Sequence, residues 1–172
     1  MLRVFAGESL AIHSPTGSGK TLSYLLPLAL RQQQRATPRQ VLVVVPSREL
    51  AMQSLECAHA FLPPSTAALL HIGSRHPSVI GKAIRSHRAP IVIATAAQVG
   101  ALDAVLSTLA GGDVLLAELR RTLRTVVLDE SDAILEPVGR GGMQNRSRRD
   151  RALKRMPVAR ALGRLVERRT DG

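Results

Sequence analysis

The sequence predicts an α/β domain in which a mostly parallel β-sheet is flanked by helices. Short apolar runs, several of them rich in β-branched residues, predict strands near residues 10–13, 41–45, 69–72, 91–94 and 125–128. Stretches with apolar residues at helical spacing separate these runs, and such alternation is typical of parallel sheets. With 172 residues and 45% hydrophobic content, the chain is long enough and apolar enough to form the core of one domain of this kind.

A glycine-rich loop follows the first predicted strand and reads Ser14-Pro15-Thr16-Gly17-Ser18-Gly19-Lys20-Thr21. Glycines in such a loop let the backbone N–H groups turn inward, so that a polyphosphate can lie against bare backbone. The lysine can reach the β- and γ-phosphates, and the threonine hydroxyl can bind Mg²⁺. The predicted nucleotide-binding set is therefore Ser14, Thr16, Gly17, Ser18, Gly19, Lys20 and Thr21. Ser14 departs from the strict pattern, which has glycine at that position.

The helix predicted after this loop has an apolar face made of Leu22, Leu25, Leu26, Ala29 and Leu30. Its N-terminal dipole would point at the bound anion. A Gly/Ser-rich turn that merely resembles a phosphate loop is the alternative.

Four polar residues, Asp129-Glu130-Ser131-Asp132, follow the predicted strand at 125–128. Ligands bind at the carboxyl ends of strands in an open α/β sheet. A carboxylate there can hold Mg²⁺, and its neighbour can orient or deprotonate an attacking water. Alone, this cluster would be read as a solvated turn; together with the phosphate loop it predicts a nucleoside-triphosphate site.

The residues of several motifs resemble those of the first RecA-like domain of DEAD-box RNA helicases. The similar segments are LSYLLPLAL at 22–30, PSRELA at 46–51, IVIAT at 91–95 and VVLDESDAIL at 126–135. The resemblance covers roughly residues 2–136. It implies an incomplete RecA-like P-loop NTPase domain at residues 1–136. The remaining residues, 137–172, are an Arg-rich tail in which the spacing of apolar residues indicates a helix within 151–169. The resemblance also implies an ATP-dependent RNA helicase that uses ATP and Mg²⁺.

The resemblance assigns roles at the catalytic end. Lys20 and Thr21 would hold the phosphates and the metal, and Asp129 would help to hold the metal. Glu130 would be the catalytic base, and Asp132 would couple the site to neighbouring motifs.

It also assigns RNA contacts that do not depend on base sequence. Arg48 and Thr95 would contact the sugar–phosphate backbone, and Gly73 would let that backbone approach. The alternatives are a solvated helix charge at Arg48 and a helix cap at Thr95.

Departures from the family pattern limit what the resemblance implies. Thr95-Ala96-Ala97-Gln98 stands where the family has Thr-Pro-Gly-Arg, so an RNA-contacting arginine is lost. We expect no adenine-reading glutamine motif ahead of Leu2 and no second RecA-like domain within these 172 residues. The chain by itself is therefore expected not to unwind RNA unless a partner supplies the second domain.

The Ser-Ala-Thr motif of the family does not occur after Asp132. In the family its strand lies between the phosphate-loop strand and the strand that ends in Asp129. Without it, those two strands would pair directly or leave backbone groups unpaired, which is costly. We therefore hypothesise a truncated or split gene product with a poorly assembled catalytic centre.

The net charge of +11 is concentrated in the last forty or so residues. The Arg-rich tail there could be an RNA-phosphate patch, a helix for an acidic partner or, the reading that the composition favours, a solvated or disordered segment. No secretory signal or membrane span is visible in the sequence, so the expected localisation is intracellular; the sequence does not identify the compartment.

Three functions remain in view. The first is the ATP-binding domain of an RNA helicase, and the second is a non-catalytic ATP- or RNA-binding pseudo-helicase. The third, another phosphate-loop enzyme such as a kinase or GTPase, is the weakest, because no Asn-Lys-x-Asp guanine-reading segment is present.

Overall fold

A computed structural model describes residues 2–13, 15, 17–34, 40–70, 84, 88–135 and 156–166. Its described strands form one four-stranded, all-parallel sheet in the order β2-β3-β1-β4. The strands are β1 (Val41–Val45), β2 (Ala67–Leu69), β3 (Ile91–Thr95) and β4 (Thr125–Leu128). The predicted fold class, an incomplete α/β domain with a parallel sheet, is confirmed.

Helices flank the sheet. They are α1 (Leu2–Ala6), α2 (Lys20–Gln34), α3 (Arg48–His59), α4 (Ala96–Thr108), α5 (Gly112–Thr122), α6 (Ser131–Ile134) and α7 (Pro157–Val166). Helical spacing predicted α2, α3 and α4, whereas α1, α5 and α6 were not predicted. Among the helices that the structure describes, none combines the length and apolar character that crossing a bilayer requires.

Strand β1 is the centre of the sheet. It pairs with β3 on one side and with β4 on the other, so that Val45 lies level with Thr95 and Val44 with Leu128. All five residues of β1 are buried, as expected for a parallel strand covered on both faces. The carboxyl ends of β1, β3 and β4 therefore meet at one edge.

The alternation of β1 divides the core into two layers. Val41, Val43 and Val45 pack against α2 and α3, whereas Leu42 and Val44 pack in the layer formed with α4, α5 and α7. Helices α2 and α3 lie on one face of the sheet and α4 lies on the other, so helices that begin at the carboxyl edge cover both faces.

The strand predicted at 10–13 is wrong. These residues form no regular secondary structure, and Ile12 is half exposed. A three-residue apolar run cannot make a strand unless a neighbour satisfies its backbone groups. In the described part of the chain, β4 is an edge strand that pairs only with β1, and residues 10–13 do not pair with its free edge.

Helix α7 packs onto the sheet layer that α4 and α5 form. Its face of Val158, Ala161 and Leu165 is buried in the core, so residues 156–166 are not the solvated segment that composition favoured. Asp103 on α4, only 9% exposed, receives Arg160 Nε at 3.0 Å and lies 3.6 Å from Arg164 Nη1. Apolar packing and this ion-pair cluster together hold α7 in place.

Substituting Leu165 tests the packing of α7. Leu165→Ala should lower the free energy of unfolding by about 2–5 kcal/mol, because it opens a cavity in the core. The adjacent Val166 is 60% exposed, so Val166→Ala should change the stability by less than about 0.5 kcal/mol. Urea unfolding of both variants measures this, and equal small effects would contradict the docked helix.

Candidate nucleotide-binding site

The glycine-rich loop is open to a ligand. Gly17 and Gly19 have φ values of +76° and +80°, in the left-handed region that favours glycine. A Cβ built on either glycine meets nothing within 4 Å. The loop therefore has room for phosphate oxygens beside its backbone. Ser14 and Thr16 lie outside the described residues.

Helix α2 begins at Lys20, the predicted phosphate ligand, which is half-buried. The backbone N–H of Ser23 donates to the Gly19 carbonyl at 2.9 Å, and the Ser23 hydroxyl donates to the Lys20 carbonyl at 2.6 Å. These bonds make the first turn regular directly after the loop. The positive end of the helix dipole thus lies where the phosphates would bind.

The first turn of α2 meets the acidic cluster after β4. Thr21 Oγ1 donates to Asp129 Oδ2 at 3.4 Å, and the Tyr24 hydroxyl donates to the same oxygen at 2.8 Å. The backbone N–H of Asp129 donates to the Val44 carbonyl at 3.0 Å, which fixes Asp129 to the edge of the sheet. The structure therefore brings together the two predicted halves of the site, although 108 positions separate Thr21 from Asp129.

Tyr24 is held as a neutral donor. Burial raises the pKa of its hydroxyl far above the usual value, and the charge and hydrogen bond of Asp129 raise this pKa further. Hydrogen bonds from Ser54 and Thr21 lower the pKa, but by less. Sequence reasoning missed Tyr24. Its spacing of three residues from Thr21, which places both on one face of a helix, is the signal that could have identified it.

Glu130 has an unusual backbone. Its φ of 52° and ψ of 51° place it in the left-handed region, the one such residue other than glycine among those described. Residues in this conformation cost of order 1 kcal/mol or more and cluster at functional sites. Asp132, in the first turn of α6, is exposed and lies at the same edge.

The oxygens present fit Mg²⁺. Magnesium keeps several waters and takes one or two carboxylate or hydroxyl ligands from the protein. Thr21 Oγ1 and Asp129 Oδ2, 3.4 Å apart, are ligands of this kind.

Arg48 is the first residue of α3 and its side chain is exposed. Ser47 caps the helix by accepting the Leu50 N–H at 3.3 Å, which fixes the backbone that carries Arg48. Backbone and Ser47 hydrogen bonds lower the pKa of the exposed Glu49 carboxyl, with a smaller effect from the Arg48 charge. Arg48 therefore lies at the carboxyl edge of the sheet with its side chain accessible, and its contact with RNA stays a prediction. Gly73 lies outside the described residues.

Thr95 ends β3 and caps α4. Its hydroxyl accepts the Gln98 N–H at 3.3 Å and donates to Gln98 Oε1 at 3.2 Å, while its own N–H donates to Gln98 Oε1 at 2.8 Å. Gln98 Nε2 also donates to the Leu70 carbonyl at 2.6 Å, which ties α4 to the residue after β2. Gln98, which stands where the family has arginine, thus stabilises the carboxyl edge of the sheet by linking α4 to the end of β2. The Thr-x-x-Gln spacing of a capping box could have revealed it.

Comparison with known protein sequences shows the family to which the chain belongs. The sequence model of the DEAD/DEAH box helicase family matches residues 1–158. The chain belongs to the DEAD/DEAH box helicase family. It is similar to ATP-dependent RNA helicase DDX55 of Mus musculus, with 33% identity over 136 residues, which covers 75% of this chain and 22% of the relative.

Other members of the family are similar to the chain to the same degree and over a similar share of their length. DDX55 of Danio rerio is 33% identical over 138 residues, 76% of this chain and 23% of that protein. ATP-dependent RNA helicase DBP7 of Saccharomyces cerevisiae (strain ATCC 204508 / S288c) is 33% identical over 138 residues, 73% of this chain and 17% of that protein. The chain thus spans about a fifth of the length of these relatives.

The raised pKa of Tyr24 predicts a stability loss at high pH. The unfolded tyrosine ionises near pH 10, so the stabilisation from keeping the hydroxyl neutral is fully present below about pH 10. Above that value it should decline by about 1.4 kcal/mol per pH unit. Urea unfolding of the wild type and Tyr24→Phe between pH 8 and 11 isolates this contribution, because the variant lacks it. Parallel curves for the two proteins would contradict the prediction.

Proposed function

We propose that the chain is an ATP-binding domain of a DEAD-box ATP-dependent RNA helicase, which binds Mg-ATP between α2 and β4 and RNA backbone beside α3. The contact of Thr21 and Tyr24 with Asp129 carries the proposal. It joins a phosphate loop to a metal-ligating carboxylate, and the order of these motifs along the chain is that of the family.

The residues have distinct roles in this proposal. Gly17 and Gly19 leave backbone exposed to the phosphates, and Lys20 neutralises their charge. Thr21 and Asp129 hold Mg²⁺, which when bound offsets charge on the phosphate oxygens. Glu130 accepts a proton from the attacking water.

The proposal for these 172 residues is binding of ATP and RNA. Unwinding in this family requires two RecA-like domains that close around ATP and RNA. We therefore assign unwinding only to an assembly that contains a second such domain, in the same protein or in a partner.

A second candidate, a non-catalytic ATP- or RNA-binding module, is favoured by one observation. The segment leading into the phosphate loop forms no strand, and Ala11, Ile12 and His13 are exposed. Such a segment constrains the loop less than a paired strand would, so nucleotide could be bound without being hydrolysed.

Titration with a fluorescent ATP analogue and Mg²⁺ tests nucleotide binding. Lys20→Ala should weaken binding by about tenfold or more, because the loss of a contact with a charged group costs about 1.5–3 kcal/mol. Arg31→Ala, which removes a positive charge from the exposed C-terminal part of the same helix, is the control and should bind as the wild type does.

Glu130→Gln separates the two candidates. In a catalytic domain it should retain nucleotide binding and abolish RNA-stimulated phosphate release, which is measured in the presence of the second domain. If the wild type binds ATP and shows no turnover under that condition, the non-catalytic module is supported. If neither the wild type nor Lys20→Ala binds nucleotide, both candidates fail as ATP-binding proteins.

Arg48 should contact RNA phosphate. Arg48→Ala should weaken binding of single-stranded RNA uniformly across sequences and reduce the slope of log affinity against log salt by about 1. Arg124 is also exposed but precedes β4, at the opposite edge of the sheet, so Arg124→Ala is the matched control. Fluorescence anisotropy at several salt concentrations measures both, and equal slopes for the two variants would contradict a specific role for Arg48.

A further inference from the structure

The Tyr24 side chain connects three elements of the fold. It lies on α2, is 6% exposed, and donates its hydroxyl hydrogen to Asp129 Oδ2 at the end of β4. Ser54 on α3, itself 4% exposed, lies near the same hydroxyl and lowers its pKa. The aromatic ring packs in the apolar layer between α2, α3 and the sheet. Its hydroxyl therefore cannot move away from Asp129 without disturbing a packed core.

The two hydrogen bonds to Asp129 reach the same oxygen. Thr21 Oγ1 and the Tyr24 hydroxyl both donate to Oδ2, at 3.4 and 2.8 Å. Rotation of a carboxylate about its terminal torsion is otherwise broad, so these donors select one orientation. The shorter bond, from the more rigid donor, has the larger part in this selection.

We propose that Tyr24 is a positioning residue for Asp129, which it holds in the orientation that receives Mg²⁺ beside Thr21. The inference rests on the proposed function, because it assigns a residue to the same Mg-ATP site. Tyr24 packs in one apolar cluster with residues of α3, so the orientation of the metal-ligating carboxylate depends on the packing of α3 against α2.

The phenol acts through geometry and moves no proton. Tyr24 remains a neutral donor, and its hydrogen bond is charge-assisted, since the acceptor is a carboxylate. Binding of ATP without metal would not need this orientation. The Mg²⁺-dependent part of the affinity would need it.

The test measures ATP affinity with and without Mg²⁺ for the wild type, Tyr24→Phe, Asp129→Asn and the double variant. Tyr24→Phe keeps the ring and should weaken binding about tenfold in Mg²⁺, while binding in excess chelator stays within about twofold. In the Asp129→Asn background, Tyr24→Phe should have no further effect on Mg²⁺-dependent affinity. Arg31→Ala is again the control, because Arg31 is exposed near the far end of α2 and should not change the Mg²⁺ dependence.

The outcomes are distinct. An equal loss of affinity with and without Mg²⁺ would make Tyr24 a purely structural residue and overturn the inference, as would unchanged Mg²⁺ dependence in Tyr24→Phe. A wild type that does not bind Mg-ATP at all would overturn the proposed function and, with it, the inference. Circular dichroism establishes that each variant is folded before its affinity is compared.

Discussion

The in-register parallel pairing of β1 with both β3 and β4 is the constraint on which the rest of the structure depends. Because the pairing is parallel on both sides, the three strands end at the same edge. Thr95 and Asp129, together with α3 and its Arg48, thereby come to one place from three separate segments. A shift of β4 by one residue would turn its side chains to the opposite face and remove Asp129 from α2. The complete burial of β1 opposes such a shift.

Apolar packing, more than chain connectivity, positions the phosphate loop. The segment before the loop is not paired to the sheet, but α2 buries Leu25, Leu28 and Ala29 against β1 and its neighbours. Each fully buried leucine contributes roughly 1.5–3 kcal/mol. The helix is therefore fixed by packing even though no strand leads into it, and the loop is fixed at its helical end. This explains how a nucleotide site can be half assembled without the strand that normally leads into it.

The sequence predicts most of the sheet because the runs at 41–45, 91–94 and 125–128 are β-branched and long enough to need burial. The run at 10–12 is also apolar, but a strand forms only where a neighbouring strand can pair with it. The sequence of the run itself does not show whether such a neighbour exists, and residues 10–12 form no strand. Helix α5 is not evident from the sequence, because two consecutive glycines, Gly111 and Gly112, are typical of the end of the preceding helix. In the structure Gly111 takes a φ of +81° and a new helix begins at Gly112. Tyr24 and Gln98 were missed as functional residues because their partners, Asp129 and Leu70, are distant in sequence.

The acidic pair at the end of β4 shows how adjacent carboxylates can acquire different roles. Asp129 continues the sheet through its bond to Val44, and its side chain is held by donors on α2. Glu130 leaves the sheet in a left-handed conformation that its carbonyl helps to maintain, by accepting the N–H groups of Ala133 and Ile134. Ile134 is buried, which anchors the turn and offsets the cost of that conformation. Two consecutive residues with different backbone conformations direct their side chains differently. One carboxylate is therefore held by α2, as the proposed metal ligand, while the next, the proposed base, takes a different direction from the sheet edge.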